Sequence, residues 1–139
     1  MKKIINKTLC AILILCCIIC ISACVPNTDP WENAQYTEDT VLGTGANTAI
    51  VTVEVNEHIV TFTIHTDKTI LGEALFENEL ITGEESEYGL YIKTVNGILA
   101  DFNVNKRYWA LYINGEYAMS GVDTTKITAG DSYSFKVEK

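Results

Sequence analysis

Apolar residues divide the chain into three regions with different patterns. Residues 9–21 are almost entirely apolar, and residues 25–48 are polar, acidic and interrupted by two prolines. From residue 49 onward, apolar and polar residues alternate over several short runs, as expected for strands that bury one face. The pattern predicts a β-rich folded domain at residues 49–139, preceded by a flexible stretch with too few apolar side chains to form a core.

The first half of this domain is predicted to form a β-hairpin followed by one helix. Two runs with a period of two flank a turn at Asn56 and Glu57, and their apolar positions are Val51, Val53, Val55, Val60, Phe62 and Ile64. Asp67 or Thr69 is then placed to cap a helix whose apolar residues follow the helical period: Ile70, Leu71, Ala74 and Leu75.

The second half carries only strand signals. Strands are predicted at residues 88–95, 98–102, 108–113, 116–120 and 133–137. Two Asn-Gly pairs separate neighbouring runs, and both residue types tolerate the positive φ that a type I′ hairpin turn requires. The order of two strands, one helix and several strands predicts the α+β class, as a small β-grasp-like domain with a mostly antiparallel sheet and one packed helix.

The N-terminus has the pattern of an export signal. Lys2, Lys3 and Lys7 precede the apolar segment, which is short for a membrane span, and Ser22, Ala23 and Cys24 follow it. This arrangement resembles the lipobox of bacterial lipoproteins, and the resemblance implies cleavage before Cys24 and acylation of that cysteine. It further implies a bacterial, Gram-positive lipoprotein on the extracytoplasmic face of the cell membrane. An uncleaved N-terminal anchor helix is the alternative interpretation.

The predicted organisation is a signal peptide at residues 1–23, a lipidated cysteine with a flexible tether at residues 24–48, and a folded domain at residues 49–139. All five cysteines lie between Cys10 and Cys24, so the mature chain keeps only the acylated one and forms no internal disulfide. It keeps all 18 acidic residues and loses three of the ten basic ones, which gives a formal balance of −11. Nucleic acid and anionic lipid heads are disfavoured partners, because the field of such a protein repels them.

Catalytic motifs are absent from the sequence. His58 and His65 lie seven residues apart on one predicted strand and so point to opposite faces, which prevents them from sharing a metal ion. No serine has a nucleophile-elbow context, and no glycine-rich loop precedes a helix. Asp101, Asn103 and Asn105 alternate like calcium ligands but lack the rest of a calcium-binding loop. The sequence therefore predicts a protein that is not an enzyme and requires no metal or cofactor.

Aromatic residues are concentrated in a short part of the domain. Thirty positions contain seven of the chain's 13 aromatic side chains: Tyr88, Tyr91, Phe102, Tyr108, Trp109, Tyr112 and Tyr117. Alternation along a strand places part of this set in the core and the rest outside. The outer set suits ligand or partner binding, because tyrosine and tryptophan combine apolar faces with a polar edge. Ordinary cross-strand aromatic pairs that stabilise a thin sheet remain the alternative.

Several of these segments together resemble a known family. They are YGLYIKTVNGI at residues 88–98, YWALYING at residues 108–115, Gly121-Val122-Asp123, and the helix opening TILGEAL at residues 69–75. The combination resembles the bacterial domain family DUF4430, which is similar to the C-terminal β-domain of transcobalamin and intrinsic factor, the animal cobalamin carriers. The resemblance covers residues 49–139.

The resemblance implies a binding face for cobalamin or a related corrinoid. It assigns this face to Tyr88, Gly89, Leu90, Tyr91, Trp109, Ala110, Leu111, Tyr112 and Tyr117. Ala110 stands where the carriers have glutamine, and the helical barrel that closes over cobalamin in the carriers has no counterpart in this sequence. Binding is therefore expected to be weak unless a second chain completes the pocket. The alternative is an interaction module of the cell envelope that docks a protein or polymer on the same face.

Overall fold

Two β-sheets and two short helices form the folded part of the protein. The structure, a computed structural model, describes residues 28–139, so the predicted signal peptide and Cys24 lie outside the described residues. The strands are β1 (Thr40–Gly43), β2 (Asn47–Val55), β3 (His58–Thr66), β4 (Ile81–Ser86), β5 (Gly89–Val95), β6 (Ile98–Leu99), β7 (Tyr108–Ile113), β8 (Glu116–Tyr117) and β9 (Ser132–Glu138). The helices are α1 (Leu71–Glu77) and α2 (Phe102–Asn105), and a 3-10 helix spans Pro30–Asn33.

The larger sheet has the strand order β1-β3-β2-β9-β7-β8. Its centre is the predicted hairpin of β2 and β3, and the last strand, β9, lies beside β2 in a parallel pair. A hairpin, a crossing helix and a last strand inserted beside the first form the predicted β-grasp-like arrangement, and the α+β class is confirmed. Most strand pairs are antiparallel, but β1 also pairs with β3 in parallel. The smaller sheet, β4-β5-β6, is inserted between α1 and β7.

The core lies between the larger sheet and α1. The alternating residues of the predicted hairpin are buried, as is the apolar side of α1 formed by Leu71, Ala74 and Leu75. In β9 the inward positions are Tyr133 and Phe135, both 1% exposed. The two-residue period therefore predicted the buried face correctly, because one face of each strand must pack against the helix.

The start of α1 differs from the prediction. Neither Asp67 nor Thr69 caps the helix, and the N-cap position, Ile70, makes no side-chain hydrogen bond. The free amides of Leu71 and Gly72 instead donate to backbone carbonyls of the loop before β9, at 2.8 and 2.9 Å. A long-range backbone contact therefore satisfies the helix end, and such a contact leaves no local sequence signal.

The polar segment before β2 is folded, so the predicted flexible tether is wrong for residues 29–48. Trp31 is 7% exposed, and its Nε1 donates to the carbonyl of Val55 at 3.0 Å. The backbone of Tyr36 exchanges two hydrogen bonds with the side-chain amide of Asn96, at 2.9 and 2.8 Å. The side chains of Trp31 and Tyr36 and the backbone pairing of β1 with β3 hold this segment in place. The polar composition of the segment gave no indication of these contacts.

The second half contains both Asn-Gly turns, with positive φ at all four residues. Three details of the strand prediction are wrong. Residues 81–86, which were outside the predicted strands, form β4. Phe102 begins α2 instead of ending a strand, and β8 ends at Tyr117. The pairing of Lys93 with Glu84 at 2.8 Å shows why charged residues fit an exposed strand face here.

Candidate functional site

A shallow groove of about 210 Å³ runs between β5 and β7. Its walls come from β5, from β7 and from the segment that begins at the end of β8. The lining residues are Leu90, Tyr91 and Ile92 from β5; Tyr108, Trp109, Ala110 and Leu111 from β7; Tyr117, Ala118, Ser120, Gly121 and Val122 from the third segment; and Phe135 from β9. The groove is thus the junction between the two sheets, where side chains pack together but the strands do not pair.

Two strand edges flank this groove. Along residues 108–111, β7 is paired with β9 on one side, and its pairing with β8 involves only Tyr112 and Ile113. Along residues 89–93, β5 is paired with β4, and its pairing with β6 involves only Thr94 and Val95. Part of each edge is nevertheless hydrogen-bonded, because the carbonyl of Leu111 accepts from Ala118 and that of Lys93 accepts from Ala100, both at 2.9 Å. The backbone groups left over add some polarity beside an otherwise aromatic and aliphatic lining.

Trp109 forms the floor of the groove. Its side chain is 8% exposed, and Nε1 donates to the carbonyl of Ile98 at 3.2 Å. Leu111 projects to the same inner face and is 9% exposed, while Ala110 is 2% exposed. These residues belong to the core, so little of the Trp109 indole is accessible to a ligand.

Tyrosines supply the more accessible part of the lining. Tyr117 is 53% exposed, and Tyr91 and Tyr108 are half-buried. The hydroxyl oxygen of Tyr91 accepts a hydrogen bond from the backbone amide of Phe102 at 3.1 Å, which joins the groove to α2. Burial raises the pKa of the Tyr108 phenol above its usual 10.0, with further contributions from Tyr117 and Glu138. The phenol is therefore neutral at pH 7 and can donate a hydrogen bond.

Tyr112 lies beside the groove, on the outer face of the sheet. Its ring meets that of Tyr117 edge to face at a centroid distance of 5.5 Å, and its hydroxyl donates to Glu138 at 2.9 Å. That hydrogen bond raises the pKa of Tyr112 above the usual 10.0, with burial as the second cause. Lys136 lies over the ring at 5.2 Å. Tyr112 supports the position of Tyr117 without lining the groove.

A carboxylate fixes one end of the groove. Asp123 accepts a hydrogen bond from the backbone amide of Leu90 at 3.4 Å. Gly89 has a φ of +102°, and a Cβ there would lie 2.8 Å from the carboxylate. A Cβ at Gly121 would lie 2.7 Å from the same carboxylate. The turn before β5 and the segment after β8 therefore meet at the Asp123 carboxylate, and the positive φ of Gly89 favours glycine in that turn.

The structure brings together most, but not all, of the predicted binding residues. Six of the nine line the groove: Leu90, Tyr91, Trp109, Ala110, Leu111 and Tyr117. Tyr88 is 92% exposed at a turn, Gly89 shapes that turn, and Tyr112 lies on the outer face, so these three are outside the lining. The prediction missed seven other lining residues: Ile92, Tyr108, Ala118, Ser120, Gly121, Val122 and Phe135. Gly121 and Asp123 were visible as part of the family pattern, but their contact with Gly89 needed the fold.

The other candidate residues have structural partners. His58 packs on Trp31 at a ring distance of 4.2 Å, and His65 lies 3.2 Å from the hydroxyl of Thr48. Asp101 caps α2 by accepting from the amide of Asn103, and it also lies 3.4 Å from Lys93. Within residues 28–139, no three His, Cys, Asp or Glu side chains converge as a metal site would require. No helix in that range is long and apolar enough to cross a membrane.

Comparison with known proteins supports the fold. The family DUF4430, a domain of unknown function, matches residues 67–139. A proposed metal binding protein from Ruminococcus gnavus ATCC 29149 is similar, with 30% identity, a TM-score of 0.63, and coverage of 68% of this chain and 98% of that one. Haptocorrin in complex with Cbi shares the fold at 23% identity and a TM-score of 0.51, over 70% of this chain but 26% of its own. No curated protein matches the chain.

Proposed function

We propose, since this chain belongs to the DUF4430 family, that it is a lipid-anchored extracytoplasmic protein whose domain binds a ligand in the groove between β5 and β7. The candidate ligand is cobalamin or a related corrinoid, and the role is binding without catalysis. Acylated Cys24 holds the protein at the membrane, as the lipobox pattern predicts. The solved complex of haptocorrin with Cbi supports the choice of ligand class.

One observation supports the proposed ligand site. Six of the nine residues that the family resemblance assigns to one binding face line the same groove, although they lie on three different strands, β5, β7 and β8. The lining combines aromatic and aliphatic side chains with backbone groups of two strand edges. A corrin has a large apolar surface with amide side chains at its periphery, and this combination suits contact with one edge of such a ligand.

The size of the groove indicates how strongly the domain is expected to bind a corrinoid. Sites that enclose a small molecule have volumes of about 300–1,000 Å³ and cover most of the ligand. The groove measures about 210 Å³ and is open along one side, so it contacts part of a corrinoid. Binding to this domain alone is therefore weak, and a second chain that covers the other side of the ligand strengthens it.

A second candidate function follows from the strand edges. An extended peptide can add to an unpaired edge by backbone hydrogen bonds, while its alternate side chains enter the groove beside that edge. Residues 108–110 of β7 come nearest to this requirement, because on the β5 edge the amide of Leu90 and the carbonyl of Lys93 already have partners. The competing function is thus docking of a neighbouring envelope protein through an extended segment.

Isothermal calorimetry with residues 25–139 distinguishes the two functions. This length retains Trp31 and β1, which a fragment starting at residue 49 lacks. Corrinoid binding predicts heat of binding and a change in the corrin absorption spectrum, both reduced at least several-fold in Tyr117→Arg, at a 53% exposed position of the lining. Ile59→Arg, at a 52% exposed position on β3 outside the groove, serves as the control and keeps full binding. No heat and no spectral change at high corrinoid concentration would count against the first function, and binding of a strand-forming peptide would favour the second.

A further inference from the structure

We infer that one end of the domain rests on the lipid bilayer, with the side chains of Phe102 and Val104 in the membrane interface. This end consists of the 3-10 helix, β6 and α2, and we call it the anchor end. The inference depends on the acylated Cys24 of the proposed function. It adds an orientation: the domain lies directly against the membrane and does not stand away from it on a tether.

The length of chain before the folded segment requires this proximity. Only residues 25–27 separate Cys24 from Thr28, and a fully extended chain of this length spans about 14 Å. From Asp29 onward the chain is fixed, because Asp29 caps the 3-10 helix and Trp31 is buried against β2. The acyl chains therefore hold Thr28 close to the lipid head groups.

Apolar side chains surround the point where the chain reaches the domain. Thr28 and Pro30 line a depression together with Leu99 and Arg107. Next to it, the exposed fractions of Leu99, Phe102 and Val104 are 43%, 50% and 68%. Three exposed apolar side chains beside a lipid attachment point fit contact with the acyl boundary of a bilayer, since each gains free energy on leaving water.

Basic residues offset much of the acidic charge at this end. Four of the seven basic residues within residues 28–139 lie here: Lys106, Arg107, Lys136 and Lys139. The nearby carboxylates are those of Asp29, Glu32, Glu54, Glu57, Asp101 and Glu138, which leaves a local balance of −2 (4 − 6). The repulsion of anionic lipid at this end is therefore weaker than the charge of the whole sequence suggests.

The strands define an opposite end that stays in water. β2 and β9 both finish near Arg107, at Val55 and Glu138, because they run parallel. Their first residues, together with Ala129, lie at the other end of the sheet. A strand of the length of β9 spans about 20 Å, so Ala129 is well separated from the anchor end.

Site-specific fluorescence in the full-length, processed lipoprotein tests this orientation. The mature chain carries no cysteine besides Cys24, so Val104→Cys and Ala129→Cys each provide one labelling site. Both positions are exposed, which makes Ala129→Cys a matched control. Each variant, labelled with an environment-sensitive fluorophore, is reconstituted into phosphatidylcholine–phosphatidylglycerol vesicles that contain brominated lipid. Mass spectrometry reports acylation of Cys24 in the same samples.

The expected result is a blue shift and quenching of the label at residue 104, several-fold stronger than at residue 129. A water-like label at residue 104 in a protein with acylated Cys24 would overturn the orientation alone. An unmodified thiol at Cys24 would overturn the anchor and the orientation together.

Discussion

Replacing Trp31 by alanine tests whether the segment before β2 belongs to the folded domain. The side chain is 7% exposed, packs against His58 and donates a buried hydrogen bond to Val55. Truncation of a buried tryptophan to alanine costs about 3–5 kcal/mol, and the lost hydrogen bond contributes about 1 kcal/mol of that. Because the N-terminal segment can detach without global unfolding, we expect Trp31→Ala to lower the free energy of unfolding by about 3 kcal/mol, the lower limit of this range.

Urea unfolding, followed by circular dichroism, measures this loss. With a slope near 2 kcal/mol per molar urea, a loss of about 3 kcal/mol lowers the midpoint by about 1.5 M. Trp31→Phe keeps an aromatic ring but loses the hydrogen-bond donor, and its expected loss is about 1 kcal/mol. Val41→Ala, at a 67% exposed position in β1, is the control and leaves the midpoint nearly unchanged.

Equal midpoints for Trp31→Ala and the control would refute this reasoning. The polar segment would then be the flexible tether that its composition predicted. The short distance between Cys24 and the domain would no longer hold, since it depends on the chain being fixed from Asp29 onward. This measurement therefore also tests the geometric basis of the inferred membrane orientation.

Three further predictions concern single positions. Gly89→Ala should lower the melting temperature clearly more than Gly130→Ala, because both have positive φ but only the first would contact a carboxylate, at 2.8 Å. Asn96→Ala should cost about 2–4 kcal/mol in urea unfolding, since it removes two hydrogen bonds to the N-terminal segment from a buried turn. The folded-state pKa of Tyr112 is raised, so its stabilising contribution is present below pH 10 and is lost as the pH rises through that raised pKa. Ultraviolet titration should show Glu138→Gln ionising Tyr112 at lower pH.

The sequence predicted those parts of the fold that depend on local pattern. The hairpin of β2 and β3 follows from alternation, and the turns at residues 96–97 and 114–115 follow from the tolerance of asparagine and glycine for positive φ. The prediction for the N-terminal segment failed because the contacts that hold this segment are few and distant in sequence: Trp31 contacts Val55, and Tyr36 contacts Asn96. Backbone groups supply much of this contact, and a composition average does not register them.

Prediction of the candidate site depended on which side of β7 faces inward. Alternation separated Trp109 and Leu111 from Tyr108 and Tyr112 but left the direction open, because a shift of one residue exchanges the two sets. Pairing with β9 decides it, since Trp109 lies opposite Val137 and Leu111 opposite Phe135 on the inner face. The groove also needs β5 beside β7, and strands of two different sheets leave no pairing signal in the sequence.

Burial determines which substitution can report on ligand binding. Trp109 is the most conspicuous residue of the family pattern, but its indole is 8% exposed and hydrogen-bonded to Ile98. Trp109→Ala would cost about 3–5 kcal/mol, a large part of the 5–15 kcal/mol that stabilises a typical domain. Loss of binding in that variant would therefore reflect unfolding as readily as loss of a contact. Tyr117 lines the same groove and is 53% exposed, so a substitution there changes the ligand surface while the core stays intact.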